Sequence, residues 1–571
     1  MRIRMMMLAT MLCAGSAHAL DGTTSPLAAP DRAGGVYRLV PAAKGLWVWH
    51  SLGDGSPAIG YATAQLVDST HAPSWGTIAA DGFGGALISY RAVSGNAGQV
   101  RTMRAQPGLA PAPGWAMHGD QAATTPVGPG YHGLASDFAG GLYTAWQDFR
   151  TSYNDQNVVL QHMSSTAQVA SGWPLEGLFV CDAPGDQYDP VLATDAAGGV
   201  IASWWDGRAL GNTDDTGFDI WAQSIAPEGS VRWAANGVPV TRAAGDQTDP
   251  AIISDTQGGA LIAWTEQTAP FPQAGYGRIG MQRLNSTGNI TSNWPTDGLL
   301  LGDAALTRVL ATQPALVSDA QGGGYTMWAD APAGSLSGGP WTTRVQHVAA
   351  NGVIAPGWPL SGRAVATANR LLIPLGLVTD GQSGVIAAWL DLLDETTSTQ
   401  RVWLQRLGPS GGTAPGWPGT GIQVTESALN YAAMVEDHFG GATLSWFGAV
   451  LGAGELGPPI ARRITHEGVL DPYWGGYPYV DGQPVTSPTP SPGAVNITFA
   501  LPTPSSVEAR VFDLTGRRVR DLGRTAEAAA GRRTQAWDGR NDAGEAVPAG
   551  LYFVRIRWSE RDHTARVVIA R

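Results

Sequence analysis

The stretch Asp255-Thr256-Gln257-Gly258-Gly259-Ala260-Leu261-Ile262-Ala263-Trp264 decides the fold. An acid followed at fixed distance by two glycines reads as a turn, because the carboxylate can accept backbone N–H groups and glycine tolerates positive φ. The apolar run after it is too short for a helix and reads as a buried strand. Around it, residues 251–254, 278–284 and 298–301 read as three more short strands, separated by Gly, Pro, Asn and Asp. One unit of about 60 residues therefore predicts four strands.

The unit recurs. Asp81, Asp137, Asp195, Asp255, Asp319, Asp380 and Asp437 head the same motif at intervals of 56, 58, 60, 64, 61 and 57 residues, with Ser383-Gly384 replacing Gly-Gly in the sixth copy. The strand-ending aromatics Tyr90, Trp146, Trp204, Trp264, Trp328, Trp389 and Trp446 keep register, as do Trp115, Trp173, Trp233, Trp294, Trp358, Trp417 and Trp474 further on. Four-stranded units in a long array predict an all-β fold, a seven- or eight-bladed β-propeller in which each blade covers its neighbour. A degenerate first unit spans residues 20–74 and is either an eighth blade or a closing strand; an open solenoid is the alternative architecture.

Residues repeated in every unit read as scaffold. The seven motif aspartates are assigned to turn-building, the two tryptophan series to packing between units, and Gln161, Gln223, Gln282, Gln346 and Gln405 to hydrogen-bonded half-buried amides. In a meander, the Asp turns share one rim with the Trp115-type turns. The variable segments 147–157, 205–219, 265–277, 329–343 and 390–401 emerge at the opposite rim, where binding loops usually reside. That rim predicts a ligand surface from Asp148, Arg150, Trp205, Asp206, Arg208, Trp221, Glu266, Asp330 and Asp391, with Tyr276 nearby. The connectors Gly185-Asp186-Gln187-Tyr188-Asp189-Pro190 and Gly245-Asp246-Gln247-Thr248-Asp249-Pro250 add carboxylates.

Composition narrows the classes. Of 571 residues only 14% are charged, the net charge is −12, and the basic residues are 34 Arg and Lys44. That balance argues against a nucleic-acid partner. No run of 18 apolar residues predicts a transmembrane segment. The histidines lack zinc-ligand spacing, and neither a nucleophile elbow nor a phosphate loop is present, so no metal, cofactor or catalytic residue is assigned. The chain is expected to be monomeric.

The ends carry their own signals. Met1-Arg2-Ile3-Arg4, an apolar stretch and Ala17-His18-Ala19 read as a signal peptide over residues 1–19. The mature chain then keeps only Cys181, expected as a buried small hydrophobe. After residues 20–483, Pro-rich residues 484–494 read as a linker and 495–571 as an immunoglobulin-like β-sandwich. Residues 484–571 hold 13 Arg against 9 acids, which leaves −16 on the remainder.

Three motifs of that module are Ala509-Arg510-Val511-Phe512-Asp513-Leu514-Thr515-Gly516-Arg517-Arg518-Val519-Arg520, Trp537-Asp538-Gly539-Arg540-Asn541-Asp542-Ala543-Gly544 and Pro548-Ala549-Gly550-Leu551-Tyr552-Phe553-Val554-Arg555. They resemble the immunoglobulin-like domain of flagellar hook-capping proteins and are similar to the carboxy-terminal sorting domain of type IX secretion substrates. The resemblance implies export through outer-membrane secretion machinery to the surface of a Gram-negative-type bacterium, or release from it. The expectation is a secreted or surface-displayed propeller that binds a carbohydrate or protein ligand. The alternatives are an extracellular polysaccharide hydrolase or lyase acting through Asp148, Asp206 or Glu266, and a structural envelope component.

Overall fold

A computed structural model describes residues 27–569 except 32–33, 43–44, 53–64, 69–73, 95–96, 107–110, 117, 126–131, 153–154, 196, 209–216, 268–276, 303–306, 310–312, 333–339, 395–398, 429, 448–458, 471–484, 488–492, 502–504, 515, 529–530 and 559–560. The signal-peptide assignment, Trp474 and Tyr276 lie outside the described residues. Among those residues the protein is all-β, with no helix. Through Leu470 the described residues form eight consecutive antiparallel sheets, six of them four-stranded meanders. The fourth runs Gln187–Thr194, Val200–Asp206, Asp219–Ile225, Val238–Thr241, and the fifth Asp246–Ser254, Ala260–Gln267, Gly277–Leu284, Leu299–Leu301. Consecutive sheets pack through their first strands, except that the sixth sheet uses its second strand, Ala315–Ser318, against Asp246–Ser254 of the fifth and Leu372–Thr379 of the seventh. Ala28–Pro30 of the first sheet packs against Asn430–Glu436 of the eighth, Thr443 donates to the Gly34 carbonyl at 2.9 Å, and the Arg38 guanidinium lies 5.6 Å from the Phe447 ring centre.

The motif turns explain their own sequence. In each of the seven copies Asp Oδ1 accepts the N–H groups two and four residues on, at 2.6–2.9 Å. The first glycine is left-handed, as at Gly258 (φ 87°), and Ser383 adopts the same conformation at φ 64°. The second glycine allows no exchange: a Cβ at Gly259 would stand 2.1 Å from the Leu284 carbonyl, and one at Gly384 2.5 Å from that of Leu407. That contrast explains why the sixth copy departs only at its first glycine.

An eighth copy, Asp31-Arg32-Ala33-Gly34-Gly35, escapes the periodicity because it stands 50 residues before Asp81. Asp31 accepts the Gly35 N–H at 2.7 Å, and its sheet consists of Ala28–Pro30, Val36–Ala42, Gly45–Ser51 and Gln65–Asp68. The degenerate first unit is thus a sheet of its own, with no strand supplied by the distal end among the described residues.

The second carboxylate oxygen of each motif Asp takes a cation or imidazole. Arg104, Arg283, Arg406 and Arg463 from third strands serve Asp81, Asp255, Asp380 and Asp437, and Arg232 serves Asp195. In the first, third and sixth sheets His50, His162 and His347 replace arginine, each stacked at 3.8–4.2 Å on Tyr37, Tyr143 or Tyr325. Those tyrosines donate to the next sheet's turn, at Gly84, Gly198 and Ser383.

Tryptophan joins sheet to sheet. Trp115, Trp173, Trp233, Trp294, Trp358 and Trp417 are buried, and each indole donates at 2.7–3.0 Å to a carbonyl in the following sheet's turn. The five glutamines are buried; Gln282, for one, donates to the Pro295 carbonyl at 2.7 Å and accepts the Arg283 N–H at 3.0 Å.

A second compact unit is built mainly from residues 471–571. Sheets of order Val485–Ser487, Val495–Leu501, Gly531–Trp537 and Arg518–Ala528, Ser505–Phe512, Gly550–Trp558, Arg561–Ile569 enclose one apolar core around Trp537, Val511, Val554 and Ile497. The segment expected as a hinge thus contributes a strand, Val485–Ser487, paired with residues 496–498.

Candidate functional site

The rim acids lie inside the sheets. On a strand, residues i and i+2 share a face, so an acid two places beyond a buried tryptophan can reach its indole. Trp146, Trp204, Trp264 and Trp328 donate to Asp148, Asp206, Glu266 and Asp330 at 2.7–2.9 Å. Arg150 and Arg208 fold back on Asp148 and Asp206 through both guanidinium and backbone N–H, and Arg344 pairs with Asp330. Asp391 pairs with Arg370. All five carboxylates are buried. Burial pushes Glu266 upward, partly offset by the bonds from Trp264 and Gln247. Of the nine predicted ligand residues, Asp148, Asp206, Glu266 and Asp330 thus resolve into indole caps, Arg150 and Arg208 into arginine partners of two of them, Asp391 into an ion-pair partner of Arg370, and Trp205 and Trp221 into tryptophans on opposite faces of the fourth sheet.

Trp221 faces the third sheet, its ring 3.6 Å beneath the Arg208 guanidinium. Arg208 also donates to buried Cys181 at 3.0 Å, whose thiol is pushed up to about 12 by burial and by Asp206. Trp205 faces the fifth sheet, against a cluster that includes Ile201, Ile262 and Trp264. There it meets Tyr188 (centroids 4.8 Å) and Phe218 (4.8 Å), and Tyr188 meets Phe218 at 5.8 Å. All three rings are half-buried. The Trp205 indole donates to Asp189 at 3.1 Å and the Tyr188 hydroxyl to Asp186 at 2.9 Å.

This trio is not repeated. The position of Trp205, six residues beyond the second motif glycine, holds Arg91, Gln147, Thr265, Ala329, Leu390 and Phe447 in the other units with a well-spaced motif. Its neighbour, by contrast, is acidic in five units. Trp205 was visible in the sequence; Tyr188 and Asp189 were visible only as part of an acidic connector. Phe218 gave no signal, since its pairing with Trp205 crosses a loop of irregular length.

The connectors bring a second feature to the same end of the first strands. Register shifts interrupt the first strands between Ser74/Gly76, Tyr188/Val191, Thr248/Ala251, Pro374/Gly376 and Asn430/Ala433, all opposite the residues four to six beyond the second motif glycine. Such bulges re-aim side chains. Asp189 (φ 49°) and Asp249 (φ 55°) occupy two of them in left-handed conformation, each followed by proline. Asp249 accepts the Thr248 hydroxyl at 2.9 Å, and burial pushes its carboxyl up to about 6. Among the described residues, no group of His, Cys, Asp and Glu is arranged to hold a metal ion, and no helix is long and apolar enough to cross a membrane.

A family model described as the FlgD Ig-like domain matches residues 486–562. No curated protein matches the sequence. Solved structures similar to the chain include an ulvan lyase, a polysaccharide lyase in complex with a glucuronyl–rhamnose-3-sulfate ligand, at 12% identity over 78% of this chain and 94% of its own, with a TM-score of 0.39. PorZ, a surface component of the type IX secretion system of Porphyromonas gingivalis, is similar at 14% identity over 96% of this chain and 75% of its own, with a TM-score of 0.24. An endo-arabinase from Bacteroides thetaiotaomicron is similar at 13% identity over 58% and 92%, with a TM-score of 0.28.

Proposed function

We propose that the chain is a secreted or surface-displayed eight-bladed β-propeller that binds a carbohydrate through Tyr188, Trp205 and Phe218, and that an immunoglobulin-like carboxy-terminal domain directs its export or attachment. The observation that carries the reading is the trio itself: three half-buried rings with acids at their edges, at a position where no other unit with a well-spaced motif holds tryptophan. Aromatic faces stack on the apolar C–H faces of sugars while neighbouring carboxylates accept hydroxyl hydrogen bonds. Asp148, Asp206, Glu266 and Asp330 cap indoles and Asp391 pairs with Arg370, so a hydrolytic role for them has no support from their geometry. The eight-blade reading draws on the contact of the first and eighth sheets. The export reading draws on the carboxy-terminal match together with the amino-terminal signal pattern.

Retardation of the mature protein in native gels cast with soluble polysaccharides tests the binding. The wild type is expected to be retarded by at least one polymer and Trp205→Ala to run freely, with no reducing ends or unsaturated products released. Retardation unaffected by Trp205→Ala removes the trio from the site, and turnover would replace binding by catalysis.

A further inference from the structure

The repeat supplies its own control for the two acids beside the trio. Asp189 and Asp249 hold the same bulge in adjacent sheets with the same left-handed backbone. Asp189 is committed to the Trp205 indole at 3.1 Å. In the fifth sheet Thr265 stands where Trp205 stands in the fourth, and no indole reaches the acid. Among the described residues Asp249 accepts one hydrogen bond, from Thr248, and the residue as a whole is half-buried. An ionised carboxylate has room for about four acceptor contacts, so most of its capacity is open.

The trio meets the sheet that carries this acid. Trp205 packs on the cluster shared with the fifth sheet. The Phe218 N–H donates to Asp246 at 3.1 Å and the Phe218 carbonyl accepts the Gln247 N–H at 2.7 Å, two residues before Asp249. An aromatic face joined to the strand of an acceptor with open capacity matches a sugar ring, which offers one apolar face and vicinal hydroxyl donors.

We propose that Asp249 is the polar contact of the site, accepting hydroxyl hydrogen bonds from a neutral, hydroxyl-rich glycan stacked on Trp205 and Phe218. This rests on the trio being the binding surface. A polyanionic glycan is disfavoured, because its carboxylates or sulfates would approach Asp249, Asp189 and Asp186 together.

Titration of the mature protein with laminarin, arabinan and galactomannan, and with alginate and polygalacturonate as anionic probes, separates the outcomes. With the neutral probe that the wild type binds, Asp249→Ala is expected to lower affinity on the order of tenfold, the scale of a lost hydrogen bond to a charged group. Asp249→Asn, which keeps an acceptor and tolerates left-handed backbone, is expected to lose less, and its melting temperature verifies folding. If Trp205→Ala weakens binding while both Asp249 variants stay within about twofold of the wild type, the assignment of Asp249 is overturned and the trio stands. Tighter binding of alginate or polygalacturonate than of every neutral probe overturns the ligand class. No wild-type binding to any of the five polymers overturns the trio, and this proposal with it.

Discussion

At the scale of single residues, identical-looking glycines are under unequal constraint. A Cβ at Gly259 collides with the Leu284 carbonyl at 2.1 Å, whereas Gly258 needs only a left-handed backbone, with its nearest contact at 3.1 Å. Gly259→Ala is therefore expected to destabilise by about 1–3 kcal/mol, while Gly258→Asn costs distinctly less; denaturant unfolding measures both. The imidazole-bearing turns predict a pH dependence. Burial alone would raise the carboxyls of Asp137 and Asp319, but hydrogen bonds from His162 and His347 and from turn N–H groups outweigh it and hold both below the ordinary carboxylate range. A depressed folded-state pKa contributes stability that is present above the unfolded carboxylate pKa and is lost as pH falls through the folded one. Melting temperature should accordingly drop as pH is lowered below about 4, and Asp137→Asn should be less stable at neutral pH with a shallower acid drop. An Asp137→Asn profile parallel to the wild type would contradict this.

At the scale of elements, the useful distinction is between residues that repeat because they hold sheets together and residues that break the repeat. Trp294 donates its indole to the Ala350 carbonyl of the next sheet at 3.0 Å. Its replacement by Ala should cost about 3–5 kcal/mol, and Trp294→Phe, which restores most of the volume without the donor, less than that; unfolding curves rank them. Asp206→Ala leaves the Arg208 guanidinium and the Trp204 indole without their buried acceptor and is expected to cost about 3–5 kcal/mol. Much of this was legible in the sequence. The turn, the strand pattern and both tryptophan series depend on local spacing and could be read directly. The same periodicity argument that assigns Trp204 to the scaffold also applies to Asp206, two residues on and on the same face, so its role as an indole cap was readable from the i, i+2 relation. Asp31 was missed because its unit is short and only its turn carries the full motif. Phe218 was beyond reach, since only tertiary pairing across an irregular loop brings it to Trp205.

At the scale of the whole molecule, closure and recognition are separable. The first sheet touches both its successor and the eighth sheet through Ala28–Pro30, and the proposed function leaves the turns to the scaffold and the connectors to the surface that varies. The carboxy-terminal unit has its own apolar core around Trp537. A fragment of residues 484–571 is expected to unfold cooperatively by itself, with native fluorescence of buried Trp537, the property of a domain that folds alone. The most direct test pairs a repeated indole with an unrepeated one, measuring polysaccharide affinity and thermal stability together for Trp294→Ala and Trp205→Ala. Trp294→Ala should lose more stability and, below its melting transition, bind as the wild type does, while Trp205→Ala should melt closer to the wild type and lose binding. Equal loss of binding in both, or binding retained by Trp205→Ala, would contradict the division of this chain into a repeated scaffold and an unrepeated site.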